Sequence, residues 1–255
     1  MKKVLNILKI LLWITLAGGT ATLMGFVESE QFFRTCKQVY VTIEYDNNDV
    51  LLVRADIDSI IRRAQGTMIG KSMGWINAER IENAIRMHPY VAKVDIYESN
   101  NGDLFVDVKQ RAPMLRIITR NQQSIYLDAS GNFLPLHPDR PARVLVATGN
   151  IDDAFIRKPM IPRSLMADLH HLATYISHDQ FLNAQMEQIF VTPDQEFELI
   201  PKVGNHVILF GNTGNMEEKF KKLFLFYKFG LNKIGWNRYH IINIKFKNQV
   251  VCLKR

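Results

Sequence analysis

The residues with the types and spacing for chemistry are few. Gly66-Thr67-Met68-Ile69-Gly70-Lys71-Ser72 has the glycines, lysine and hydroxyl of a phosphate-cradling loop. Such a loop needs four residues between its glycines and sits between a strand and a helix. Here there are three, and they follow a helical pattern, so the stretch reads as an inter-helix loop. The histidines show no Glu-x-x-His continuation, and His170 and His171, side by side, would point to different faces of a helix. His88, His137, His178, His206 and His240 stand singly in turns or strands. No metal site is expected. No serine nucleophile of the Gly-x-Ser-x-Gly or Ser-x-x-Lys type is expected either. Cys36 and Cys252 lack a neighbouring base, and two cysteines exclude a four-thiolate zinc site and a disulfide-built scaffold. A Cys36–Cys252 disulfide would have to join the start of the first folded unit to the end of the last. The carboxylates form no acid–base pair. The expectation is a protein that is not an enzyme, with no catalytic residue, no cofactor and no small-molecule substrate.

What remains is charge. Residues 216–255 hold ten Lys or Arg against Glu217 and Glu218, a net +8, whereas the rest of the 255-residue chain is close to neutral. With Trp236, Tyr239 and Phe246 interleaved, this resembles a nucleic-acid surface. An exported domain rarely meets nucleic acid, so no such partner is expected. Lys219, Lys221, Lys222 and Lys228 fit the wet face of an amphipathic helix, which leaves Lys245, Lys247, Lys254 and Arg255 to steer an acidic partner.

Export is read from the N-terminus. Ile10 to Val27 are 18 consecutive uncharged residues, including Ile10, Leu11, Leu12, Trp13, Ile14, Leu16, Leu23, Met24, Phe26 and Val27. At about 1.5 Å each they span roughly 27 Å, near the ~30 Å hydrocarbon core of a bilayer. Lys2, Lys3 and Lys9 precede the run and Glu28 and Glu30 follow it, which places residues 28–255 outside the cytoplasm. Gly19-Thr20-Ala21 also offers a signal-peptide cleavage site, but the apolar run continues past it.

The elements that follow fall in two groups. Alternation at Val39, Val41, Ile43 and Tyr45 predicts a strand. Asp56 is expected to cap a helix with Ile57, Ile60, Ile61 and Ala64 on one face, ended by Gly66. Asn77 is expected to cap a second, and Ala92–Ile96 and Leu104–Val108 form a hairpin across Asn100-Asn101-Gly102, with Pro113 ending the unit. Beyond it, strands are predicted at Ser124–Leu127, Phe133–Leu136, Val144–Thr148, Glu187–Val191, Phe197–Pro201 and Val207–Phe210. One helix follows Pro162 with Leu165, Leu169, Leu172, Ala173 and Ile176 inward. Another opens at the capping box Asn215-x-x-Glu218 and stops at Gly230. Tyr239–Phe246 and Val250–Leu253 pair as a last hairpin or finish as an edge.

Ile81-Glu82-Asn83-Ala84-Ile85 with His88-Pro89-Tyr90-Val91, then Val94-Asp95-Ile96-Tyr97, Gly102-Asp103-Leu104 and Val108-Lys109-Gln110-Arg111-Ala112-Pro113, resemble the POTRA domain of the FtsQ/DivIB cell-division family. Tyr126-Leu127-Asp128-Ala129-Ser130-Gly131, Leu199–His206 and Gly235-Trp236-Asn237-Arg238-Tyr239 are similar to that family's β domain. The resemblance implies an α+β chain: residues 1–9 cytoplasmic, 10–27 a single transmembrane helix, 28–37 a juxtamembrane linker, 38–113 the POTRA domain (β-α-α-β-β) and 114–255 a strand-rich β domain with two or more helices. It also implies a non-enzymatic scaffold at the division septum of the inner membrane, linking early and late divisome proteins, with FtsB and FtsL as partners. By position, the strand to which a segment of FtsB adds is Lys245, Phe246, Lys247, Asn248, Gln249, Val250, Val251 and Cys252. In that reading Phe246 is the apolar anchor, and Lys245 and Lys247 meet carboxylates. An ordinary strand paired on both sides is the alternative for Ile242–Cys252. A POTRA-bearing assembly or secretion component, or an anchored periplasmic enzyme, is the alternative for the whole chain.

Overall fold

The computed structural model describes residues 12–20, 22, 34–46, 49–157 and 164–255. They divide into two compact units, one running to Glu44 and over Leu52–Gln110, the other comprising Tyr45–Leu51 and Arg111–Arg255. Residues 12–20 are helical, with Leu12, Trp13, Ile14 and Leu16 exposed. Among the described residues no helix is long and apolar enough to cross a membrane. The expected span also rests on Ile10, Leu11, Leu23, Met24, Phe26 and Val27, which lie outside the described residues together with 1–9 and 28–33.

The first unit runs β1 (Gln38–Glu44), α1 (Arg54–Gln65), α2 (Ala78–Arg86), β2 (Val91–Glu98) and β3 (Asp103–Gln110). Its sheet has the order β1-β3-β2, with β1 parallel and β2 antiparallel to β3. Alternation in β3 buries Leu104, Val106 and Val108, and the helices bury Ile57, Ile60, Ile61, Ile81 and Ile85. Asn77 caps α2 as expected, its Oδ1 accepting from Arg80 N at 2.8 Å. Asp56 is not the cap of α1. Helix α1 begins a turn earlier, and the Asp56 carboxylate reaches back to accept from Val53 N at 2.9 Å, occupying a donor left free by the first turn.

The second unit is built on a nine-stranded sheet of order β12-β11-β10-β9-β8-β7-β4-β5-β6. The strands are β4 (Pro113–Ile118), β5 (Ser124–Asp128), β6 (Phe133–Leu134), β7 (Leu145–Gly149), β8 (Met186–Val191), β9 (Phe197–Pro201), β10 (Val207–Gly211), β11 (Tyr239–Asn243) and β12 (Val251–Lys254). Between β7 and β8 lie α3 (Asp153–Arg157), α4 (Leu165–His178) and α5 (Gln180–Gln185). Helix α6 (Met216–Leu225), a π-helical turn (Phe226–Leu231) and α7 (Asn232–Ile234) cross from β10 to the parallel β11. The stripe Leu165, Leu169, Leu172, Ala173, Ile176 is buried as expected, and it joins Phe220 and Leu223 of α6 in one core with the strands. Each large apolar side chain so buried contributes about 1.5–3 kcal/mol.

Several expectations change. Pro113 opens β4 rather than closing the first unit, because proline is tolerated as the first residue of a strand. Asn215 adopts φ 53° and its side chain makes no cap, so the expected capping box does not form. The last long helix does not stop at Gly230. Its π turn carries it through Ile234, and Gly235 ends it.

A candidate partner-binding edge

The end of the second sheet is set by β10. Strand β11 pairs with it in parallel through Ile208↔Ile242, and Ile244, fully buried, still donates from its N to Leu209 O at 3.1 Å. The chain then leaves the sheet. Lys245 N donates to Asn243 Oδ1 at 3.0 Å, and Asn248 supplies the left-handed residue (φ 59°) of the turn. From α6, the Lys222 ammonium donates to Ile244 O at 3.1 Å and also to Phe246 O, fastening the turn from beneath. Strand β12 returns antiparallel with Asn243↔Val251, Ile242↔Cys252, Ile241↔Leu253 and Tyr239↔Lys254, His240 forming a bulge.

Strand β12 is an edge. Among the described residues it pairs with β11 alone. Half of its backbone N–H and C=O groups therefore face outward without a sheet partner, the arrangement that accepts an added strand. Val251 and Leu253 stand 46% and 55% exposed along it, and Phe246 at the turn is 46% exposed. Cys252 packs on the core, and burial pushes its thiol above the ordinary range, the wrong direction for a nucleophile. Burial, then Asp103 and Glu98, does the same to Cys36. Both cysteines are free.

The eight residues assigned to one strand are therefore split. Lys245–Val250 form the connection, and only Val251 and Cys252 lie in β12, which continues through Leu253 and Lys254. The unbroken apolar run Val250–Leu253 and Asn248, a residue type common in turns, carried the signal for this. The basic side chains also sort differently. Lys245 is engaged within its own domain, its Nζ 2.9 Å from Glu196 Oε2. Arg255 donates to Asn205 O at 2.7 Å. Lys219 is not on a wet face but buried over the Phe210 ring, donating to Asn212 O at 2.7 Å, and burial followed by Lys222 pulls its pKa down. Lys247 and Lys254 are exposed and make no ion pair among the described residues.

The other residues first weighed for chemistry are structural. The Gly66–Ser72 loop follows α1 and is zipped to the chain before β1 by Gly70 N→Cys36 O and Cys36 N→Lys71 O, both 2.8 Å. Contrary to the expectation of no Gly-x-Ser-x-Gly pattern, Gly70-Lys71-Ser72-Met73-Gly74 does have the nucleophile-elbow spacing. Ser72, however, bridges Thr35 and opens a short 3-10 turn, not the strand-to-helix corner an elbow needs. No group of three or more His, Cys, Asp or Glu among the described residues could hold a metal. His206 is 3% exposed, with Nε2 2.7 Å from the Tyr227 hydroxyl. Burial pushes its pKa below 6.5, offset in part by a hydrogen bond with the Trp236 backbone.

Below pH 6.5 the unfolded chain takes up a proton that the folded chain resists. This contribution is therefore complete above that pH and lost as pH falls. Urea midpoints should decline from pH 7 to pH 5, with up to about 1.4 kcal/mol per pH unit due to this side chain. His206→Gln should flatten that portion of the slope.

The described residues form an α+β chain whose last strand is paired on one side alone. Residues 34–109 match the model for a POTRA-like domain, and residues 112–253 match the model described as FtsQ/DivIB, C-terminal related. The chain belongs to the FtsQ/DivIB family. That family consists of non-enzymatic components of the cell-division machinery, which points to a divisome scaffold role. No curated protein matches the chain.

Proposed function

We propose that this chain is a divisome scaffold of the inner membrane that binds FtsB and FtsL, taking a segment of FtsB as an added strand on β12. The observation that carries the reading is the open edge of β12, with Val251 and Leu253 exposed beside it. Phe246 at the adjoining turn supplies an apolar anchor, and Lys247 and Lys254 supply charge for an acidic segment. Asn248, Gln249, Val250 and Cys252 shape the turn and the inner face of the strand. In this reading Lys245 acts indirectly, by holding the turn to Glu196. Residues 1–9 lie in the cytoplasm, 10–27 cross the membrane and 28–37 link to two exported domains, the second taking up the chain from Arg111. The exposed apolar side chains of helical residues 12–20 support that anchor.

The test is FtsB capture by the detergent-solubilised full chain. Lys247→Glu combined with Lys254→Glu should slow association about tenfold at low salt, since charges of this kind govern encounter more than residence. The gap should close as salt rises to 1 M and the Debye length contracts from about 10 Å to about 3 Å. Failure of the unaltered chain to capture FtsB, or equal rates for the two forms, would overturn the reading.

A further inference from the structure

A second surface lies on the crossover between β10 and β11. Phe181 of α5, Phe224 of α6, Tyr227 and Lys228 of the π turn, Asn232 and Trp236 line a pocket of about 170 Å³. Its aromatic walls brace one another: Phe181 meets Phe224 edge-on at 5.2 Å and Tyr227 at 6.2 Å, and Tyr227 meets Trp236 at 5.0 Å. Both polar handles in those walls are already used. The Tyr227 hydroxyl bonds His206, and Trp236 Nε1 donates to Asn232 Oδ1 at 3.2 Å. The pocket thus offers apolar contact and no open hydrogen-bonding group of its rings, which suits one aliphatic or aromatic side chain.

The backbone around it is unusual in the same place. A π turn is a poor way to run a helix and occurs mostly as a single turn at functional positions. Here it keeps Tyr227 and Leu231 buried while leaving Phe224, Lys228 and Phe229 outside. The Lys228 ammonium stands over both outer rings, 5.8 Å from Phe224 and 5.5 Å from Phe229. Leu225, Phe229 and Ile234 extend the exposed apolar surface beside it. From 219 to 239 the chain has lysines and one arginine and no acid, with Lys221, Lys228 and Lys233 all exposed.

We propose that this pocket is a docking site for an acidic peptide segment of a partner protein, which seats one protruding apolar side chain among the four rings and sets carboxylates against Lys221, Lys228 and Lys233. A lipid surface presents no single protruding group to fill a one-residue cavity. A second copy would bring lysines against lysines, since a two-fold contact places each patch on itself. No residue of β12 lines the pocket, although its Trp236 wall also borders the hollow that holds Lys254, so the variants are chosen at Phe224 and Lys228, away from that side.

The probe is a displayed library of random 12-residue peptides, panned against the detergent-solubilised full chain. Enriched sequences should be acidic with one large apolar residue. Their binding should fall at least tenfold with Lys228→Glu, which touches only the rim, and with Phe224→Ala, which removes an exposed wall. FtsB capture should be unchanged in both variants, so this site and the β12 edge fail or stand independently. Enrichment without acidic character, or peptides indifferent to both variants, would overturn the proposal. So would an effect of Lys228→Glu confined to adsorption on phosphatidylglycerol vesicles, or of Phe224→Ala confined to dissolving a dimer.

Discussion

Proline placed in turn at Val251, Cys252, Leu253 and Lys254 should abolish FtsB capture with a period of two. In an edge strand, successive N–H groups point alternately toward the neighbour and away from the sheet. Proline at an outward position deletes a donor the incoming strand must use and sets a ring in its path, while the pairing with β11 survives. Two of the four variants should therefore lose about 3 kcal/mol of binding, two orders of magnitude in Kd, with thermal melting unchanged. The other two delete a bond to β11 and should show their damage in melting. Capture that is unaffected at all four positions would show that the partner does not use the main chain here. Loss at all four with intact melting would point to side-chain packing instead. Truncating Val251 or Leu253 to Ala leaves the outward backbone groups in place and should cost less than the proline variants.

Gly149→Ala should cost the second unit about 4 kcal/mol, among the largest effects a single methyl can have. Gly149 sits at φ 100°, opposite Val191, where β7 ends its pairing with β8. A Cβ there would lie 2.3 Å from Val191 O and 2.8 Å from Val191 N. Those atoms are backbone in the middle of a nine-stranded sheet, and Val191 O also accepts from Asn150 N at 2.8 Å, so neither side can yield cheaply. For a chain of this length, with about 2–4 °C lost per kcal/mol, the melting temperature should fall by roughly 10 °C. Gly66 provides the comparison. Its φ is 80° but a Cβ would meet open space, so Gly66→Ala should cost only backbone strain, about 1–3 kcal/mol. Equal effects at the two sites would remove the steric account.

Elements with a complete signal of their own were legible in the sequence. The α4 stripe, the β2–β3 hairpin around Gly102 and the Asn77 cap each declare themselves over a few residues. Strand β4 did not, because Pro113 at its head reads as a stop and Arg116 interrupts its short apolar stretch Met114–Ile118. Helices α3 and α5, at five and six residues, are too short to show a period. The continuation past Gly230 was hidden because a π turn shifts the repeat by one residue. For the edge itself, family position alone spread the strand over Lys245–Cys252, whereas the apolar run Val250–Leu253 lies close to the observed Val251–Lys254. The engagement of Lys245 with Glu196 and the burial of Lys219 depend on contacts across the fold, which no local pattern carries.

The bare rim of β12 has a cost that falls on the protein when its ligand is scarce. Unclaimed main-chain groups beside Val251 and Leu253 would template the same strand of a sister molecule and begin a stack. Lys247 and Lys254 oppose this, since two identical rims brought together bury like charge against like. On the proposed reading the same lysines both draw in an acidic segment and act as gatekeepers against self-assembly, and neutralising them would trade selectivity for solubility trouble.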